Sequence, residues 1–151
     1  MRVISNFVQP ERMEQPSHPI SLDRVFFTRS VVIAIPEHKA GEGIITMTPT
    51  NDLDISPLDE GGSGLYMATM RSVMNAENDP IAPYKIDMEC VGIFTVDDTL
   101  NAEDALRGVT ITAHSVLYGA IREAVSWITG RQPYGPLSLG LSVLRSAAPT
   151  E

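Results

Sequence analysis

Tyr84-Lys85-Ile86-Asp87-Met88-Glu89-Cys90-Val91-Gly92-Ile93-Phe94 is the stretch that decides the fold class. Tyr84, Ile86, Met88 and Cys90 share one parity, and Lys85, Asp87 and Glu89 share the other. This is the period-two pattern of a strand with one face on a core and one in water. Beyond Cys90 the charged parity turns apolar at Val91 and Ile93, so that end of the strand needs cover on both faces.

Working back toward the N-terminus, three more strands are expected. Residues 20–35 are rich in Val, Ile and Phe and stop at Pro36. Residues 44–55 place Ile45, Met47, Leu53 and Ile55 on one parity, and Pro49, which lacks a ladder donor, marks an edge position or a bulge. Residues 65–74 set Tyr66, Ala68, Met70 and Met74 on one face, and residues 75–80 turn the chain. Residues 1–19 carry Pro10, Pro16 and Pro19 without a sustained period and read as a mobile arm, with Val3, Ile4 and Phe7 available to a neighbouring subunit. Residues 20–151 then form a single domain.

Working forward, Asn101 is an N-cap, Glu103 and Asp104 fill a first turn, and Gly108 is expected to end a short helix. A second helix is expected over residues 112–129, closed by Gly130. Its stripe of Leu117, Ile121, Ala124 and Ile128 is widened by Val116, Ala120 and Trp127, more than one sheet requires. Four strands followed by helices define an α+β fold, an antiparallel sheet with helices packed on one face.

Composition narrows the function. The chain has 151 residues, a net charge of −8 and one cysteine. The acidity argues against nucleic acid, which requires a basic stripe. Cys90 alone permits no intrachain disulfide and no thiol-bound zinc, and His18, His38 and His114 are scattered, so no metal or other cofactor is expected. Gly61-Gly62-Ser63-Gly64 lacks the Lys-Ser/Thr and the helix of a phosphate cradle. No apolar run approaches the ~20 residues of a membrane span, and the N-terminus lacks a signal-peptide core, so direct membrane binding is not expected and a cytoplasmic address is.

The order of Gly92-Ile93-Phe94, then a helix with Leu117-Tyr118 and Ile121-Arg122-Glu123, then Pro136-Leu137-Ser138-Leu139 resembles the SecB chaperone family over about residues 84–145. The resemblance is weak over residues 20–36 and absent before them. It implies a four-stranded antiparallel sheet with two main helices, a homotetramer built as a dimer of dimers, and an ATP-independent holdase for unfolded polypeptides. Within such a family the clients are preproteins handed to the translocation motor for export, or a cognate antitoxin in toxin–antitoxin or phage-type members. Asp87 matches a motor-docking acid of exporting relatives, with Glu89 beside it, whereas Ser30 and Ala34 fall near the other acids. The chain ends at Glu151, which leaves room for a last helix of about two turns and no acidic tail.

The residues themselves place client binding at Phe94, Leu100, Tyr134, Leu137, Leu139 and Leu141, where a proline-bounded apolar loop meets the strand-to-helix crossover. Core closure of the sheet by the same leucines is the alternative. Val91, Ile93, Val116, Ala120 and Trp127 are expected between subunits. The methionines, seven in all, suit an adaptable surface, although most serve as core filler. Two other classes compete: a structural or assembly protein, and a small enzyme using Asp97, Asp98 or His114 for acid–base work. Asp97 and Asp98 stand where a strand ends, the commonest structural use of Asp.

Overall fold

The computed structural model describes residues 18–39, 46–59 and 64–145. In chain order the elements are β1 (Ile20–Ala34), β2 (Thr46–Met47), β3 (Thr50–Pro57), β4 (Leu65–Met74), β5 (Tyr84–Val96), α1 (Ala102–Thr129) and β6 (Ser138–Leu139). β1, β5, β4 and β3 form an antiparallel sheet in that spatial order, and β2 pairs in parallel with β6. The fold is α+β, with one helix across one face of a four-stranded sheet.

β5 is central, and its parity is the one the sequence expects. Ile86, Met88, Cys90 and Phe94 are fully buried beneath α1. Gly92 belongs to the same face, where a Cβ would meet Phe94 and Leu117 side chains. The opposite parity faces away from the helix. Val91, expected to be covered between subunits, is already buried within the single chain. It is flanked in register by Phe26 on β1 and Thr69 on β4, so neighbouring strands cover it without a second subunit. Ile93 is half-buried on the same face.

β1 carries register shifts between Leu22 and Arg24 and between Phe27 and Arg29. Each inserts one residue and restores the apolar parity, which lets a long edge strand follow the twist of β5. The expected strand over residues 44–55 is divided at Thr48-Pro49, and Ile44 and Ile45 lie outside the described residues. Pro49 is buried and has no N–H to donate, so the ladder breaks there and β2 pairs with a different partner from β3. At the β4–β5 turn Asn75 and Asn78 take φ of 56° and 58°, left-handed values that Asn tolerates.

The expected pair of helices is instead a single helix, α1. Asn101 caps it as expected, its side chain accepting from the Asp104 N–H at 2.8 Å. Gly108 lies inside it: a Cβ there would sit 2.6 Å from Ile20 Cδ1, so the glycine permits close approach of helix and β1 rather than termination. Of the buried positions, Ala105, Val109, Ala113, Leu117, Ile121, Val125 and Thr129 form a row of fourth neighbours, and Tyr118 lies beside it. Such a row winds obliquely around a helix, so α1 crosses the sheet at a slant. One flank opens beside β3 at its N-terminal half, another beside β1 at its C-terminal half. No last helix forms over residues 141–145; residues 146–151 lie outside the described residues, as does the expected arm except for His18 and Pro19.

Candidate binding grooves

After α1 the chain returns across the helix end as an extended loop, and polar side chains fasten it. The Tyr84 hydroxyl donates to the Gly135 carbonyl at 2.7 Å and accepts from the Tyr134 N–H at 3.2 Å. Thr129 Oγ1 accepts from the Leu137 N–H at 2.8 Å. Arg122 Nε donates to the Leu139 carbonyl at 3.1 Å, and the Tyr118 hydroxyl donates to the Gly140 carbonyl. Tyr134 donates to the Ile35 carbonyl and packs edge-on against His38 and Tyr84. Burial raises the Tyr84 and Tyr118 pKa values, which keeps both hydroxyls protonated as donors.

This fastening decides where the expected client-contact residues lie. Phe94, Leu137 and Leu139 are buried in the core, so the core-closure alternative holds for the two leucines. Tyr134 is half-buried with its hydroxyl committed. Leu100 lies in a recess of about 450 Å³ at the strand-to-helix crossover, together with Tyr66, Asp97 and Asp98. Leu141 stands apart and is 78 % exposed. The structure therefore does not gather these six residues into one trough.

A groove of mixed polar and apolar lining is present elsewhere, with Asn51 and Arg145 among its walls. Between β3 and the N-terminal half of α1 runs a cleft of about 540 Å³ walled by Leu53, Ile55, Met70 and Leu106. Thr110 and His114 continue its helix wall, and residues 142–145 border its mouth. Leu144 also borders an adjoining hollow of about 440 Å³ with Leu106 and Ile111. Leu106, Ile111, Val143 and Leu144, all exposed, thus border this cleft or the adjoining hollow. Sequence reasoning missed this flank by ending a helix at Gly108. Leu106, Thr110 and His114 recur every fourth residue, a signal legible only when the helix is read as continuous.

On the other flank of α1, Ala120, Ala124, Trp127 and Ile128 meet Phe27 of β1 around a hollow of about 380 Å³. Trp127 is 61 % exposed, with the Arg131 guanidinium 3.9 Å from its ring centroid. Val116 is half-buried on the same helix. The two apolar flanks are separate.

The open sheet face differs from an acidic docking surface. Asp87 is only 8 % exposed, and its carboxylate lies between Arg71 and Arg29. The hydrogen bond from Arg71, opposed by desolvation and aided by the nearby Arg29 charge, holds the Asp87 carboxyl below its usual range. Glu89 accepts from Thr28 Oγ1 at 2.6 Å. Both Arg29 and Arg71 stand opposite Glu89 in register, with Asp52 beyond Arg71, so charges alternate across the four strands.

The residues of the enzyme alternative are not assembled. Asp97 and Asp98 line the crossover recess, whereas His114 lines the β3–α1 groove. Asp97 Oδ1 accepts from the Thr99 N–H at 3.1 Å, a turn contact. Cys90 is fully buried, and burial pushes its thiol up to about 11, away from nucleophilic use at neutral pH. Among the described residues no helix is long and apolar enough to cross a membrane.

Comparison with known proteins bears on the fold. The SecB-like chaperone Rv1957 of Mycobacterium tuberculosis, solved in complex with a ChAD peptide from the Rv1956 HigA1 antitoxin, is similar at a TM-score of 0.53 and 20 % identity. The likeness covers 84 % of this chain and 88 % of that one. A Streptococcus agalactiae protein of unknown function is similar at a TM-score of 0.50 and 7 % identity, over 81 % of this chain and 97 % of that one. No family model and no curated protein matches the chain. At these identities the likeness establishes a SecB-like fold.

Proposed function

We propose that this protein is an ATP-independent holdase that binds unfolded polypeptide in the groove between β3 and α1. The observation that carries this reading is the exposed Leu106, Val143 and Leu144 lining a cleft of about 540 Å³, with exposed Ile111 in the adjoining hollow. An apolar patch of this kind on an acidic, soluble chain marks an interaction surface. Preferential binding of the unfolded client shifts its equilibrium by mass action and needs no nucleotide. The SecB-like fold supports the same class, since a protein of that fold was solved holding an antitoxin peptide.

Holding a client is favoured over handing it to an export motor. A basic motor tail docking at Asp87 would have to displace Arg71 and Arg29, which already engage that carboxylate. The client is therefore an aggregation-prone chain such as a cognate antitoxin. Leu100, Tyr134 and Leu141 keep exposed surface outside this groove, whereas Phe94, Leu137 and Leu139 lie in the core.

Assembly is proposed as a homotetramer in the cytoplasm. β1 is an edge strand with Leu22, Phe27 and Ile33 exposed, and Trp127 stands on the helix beside it. An edge of this length is a template for pairing. Ala120 and Val116 on α1, with half-buried Ile93 on the open face, supply the remaining contact surface.

The test is suppression of light scattering by a thermally unfolding client, with no ATP present. Suppression at stoichiometric chaperone is the expected result. Unaltered client aggregation at a several-fold excess would overturn the holdase reading and favour a structural or assembly role.

A further inference from the structure

Three side chains one turn apart on α1 clasp the returning chain in order. Arg122 donates to the Leu139 carbonyl at 3.1 Å, Tyr118 donates to the Gly140 carbonyl, and His114 Nε2 lies 3.0 Å from Ser142 Oγ. The Tyr118 ring lies between the other two, its centroid 6.0 Å from the Arg122 guanidinium and 6.2 Å from the His114 ring. Ser142 Oγ also accepts from Asn51 Nδ2 at 3.0 Å, and Asn51 in turn accepts from the Ser72 hydroxyl. Ser142 thereby links α1 to β3, and residues 142–145 are held as a wall of the cleft.

The charge in that cleft runs against the charge of the chain. The chain carries −8, with 19 acidic residues against 11 basic ones. Yet among the described residues no carboxylate lines the cleft, and Arg145 does. The strand period explains part of this: Asn51, Leu53 and Ile55 line the cleft, while Asp52 and Asp54 alternate with them on the opposite face. In the adjoining hollow, which Arg145 also borders, Glu103 is already paired with Arg107. The other described arginines are engaged as well, Arg29 and Arg71 by Asp87, Arg122 by the Leu139 carbonyl, and Arg24 and Arg131 by aromatic rings. Among the described residues Arg145 alone has no such partner. A guanidinium presents paired N–H donors that match a carboxylate, and here it stands beside the apolar walls of Leu53, Ile55 and Leu106.

We propose that the β3–α1 cleft selects client segments in which a carboxylate accompanies apolar side chains, with Arg145 as the specificity-determining residue. The proposal rests on the holdase reading and names a preference within it. The carboxylate comes from an acidic side chain or from a chain terminus. Net charge alone would favour basic clients. That field is screened beyond about 8 Å at physiological salt, whereas a segment seated in the cleft meets Arg145 directly. The local preference is therefore opposite in sign to the one that net charge gives.

Binding of short labelled peptides to the full-length chain, read by fluorescence anisotropy, tests this. Each peptide alternates leucine with serine; three have blocked ends and finish in Glu, Gln or Lys, and a fourth finishes in Gln with a free carboxylate. The Glu peptide is expected to bind about five-fold tighter than the blocked Gln peptide, and the Lys peptide more weakly than either. Arg145→Gln should erase the difference between Glu and Gln, and Arg145→Glu should invert the order in favour of Lys. Affinity for the blocked Gln peptide should stay constant throughout, a pattern that a purely structural role for Arg145 would not produce. Arg145 is exposed, so both variants should melt as wild type does. Tighter binding of the Glu or the free-terminus peptide, lost in Arg145→Gln, supports the proposal and identifies the source of the carboxylate. Equal affinity of wild type for all four peptides, or a Glu preference that survives Arg145→Gln, overturns it and leaves the holdase reading standing. Absence of binding by every peptide overturns the cleft as a client site and this proposal with it.

Discussion

Arg71 grips Asp87 at two points, Nε donating to Oδ1 at 3.0 Å and Nη2 to Oδ2 at 2.8 Å. Arg29 adds a third contact at 2.8 Å. A carboxylate nearly out of solvent is thereby held between two half-exposed guanidiniums, each extending from a neighbouring strand. The contact ties β1, β5 and β4 together on the face that α1 does not cover.

The pH dependence of this contact has a definite sign. Unfolded, Asp87 titrates near its ordinary value of 3.8; folded, it titrates lower. Between the two the unfolded chain binds more protons, so the stabilisation is complete above 3.8 and is lost as pH falls through the folded value. Asp87→Asn should cost about 1 kcal/mol at neutral pH, because solvent screens the two arginines. The difference between variant and wild-type urea midpoints should shrink toward zero below that window. A constant difference across pH 2–7 would assign the loss to packing instead.

Two glycines of α1 should respond oppositely to the same change. Gly119 is exposed and a Cβ there meets nothing within 4 Å, so Gly119→Ala should stabilise by roughly 0.5–1 kcal/mol through helix propensity alone. Gly108 faces Ile20 Cδ1 at 2.6 Å from an added Cβ. Gly108→Ala should gain less than Gly119→Ala, and Gly108→Val should lose about 1–3 kcal/mol by overpacking. Thermal melts of the three variants compare these directly.

These glycines also mark how far the fold was legible. The parity of β5 and the Asn101 cap were readable because alternation and capping are local signals. Gly108 was misread as a stop because its reason is tertiary: the partner that needs the space, Ile20, is far away in sequence. That error hid the row of Leu106, Thr110 and His114, and with it the groove wall. Leu137 and Leu139 alternate with polar or small residues like surface anchors, yet they are core. The groups that draw them inward, Thr129 and Arg122, bond to backbone atoms that no sequence pattern exposes. Asp87 was correctly placed facing away from the core, but its two arginines come from β1 and β4, and pairing register was not readable in advance.

Assembly through the β1 flank of α1 is checked by Ala120→Glu. Ala120 is half-buried among Phe27, Ala124 and Trp127, and a glutamate there would place an unpaired charge in any helix contact. Light scattering should report about 66 kDa for wild type, four copies of a 16.4 kDa chain, and a dimer or monomer for the variant. The far-ultraviolet spectrum should be unchanged. A wild-type monomer at micromolar concentration would refute the tetramer.

Groove and core are separated by one pair of substitutions. Leu139 is 1 % exposed beneath the return loop, so Leu139→Asp buries a charge without a partner and should lose at least 3 kcal/mol, with folding itself at risk. Leu106 is nearly half exposed on the groove wall, and its side chain reaches water without displacing core atoms. Leu106→Glu should shift stability by no more than about 0.5 kcal/mol, the usual limit for a surface change. The same substitution sets a carboxylate across the cleft from Leu53 and Ile55, where an entering apolar side chain would have to desolvate it. Suppression of client aggregation should therefore fall at least ten-fold in Leu106→Glu while its melting curve overlays that of wild type. Full suppression by a folded Leu106→Glu would move client binding away from the β3–α1 groove, leaving the Trp127 flank as the next apolar surface to test.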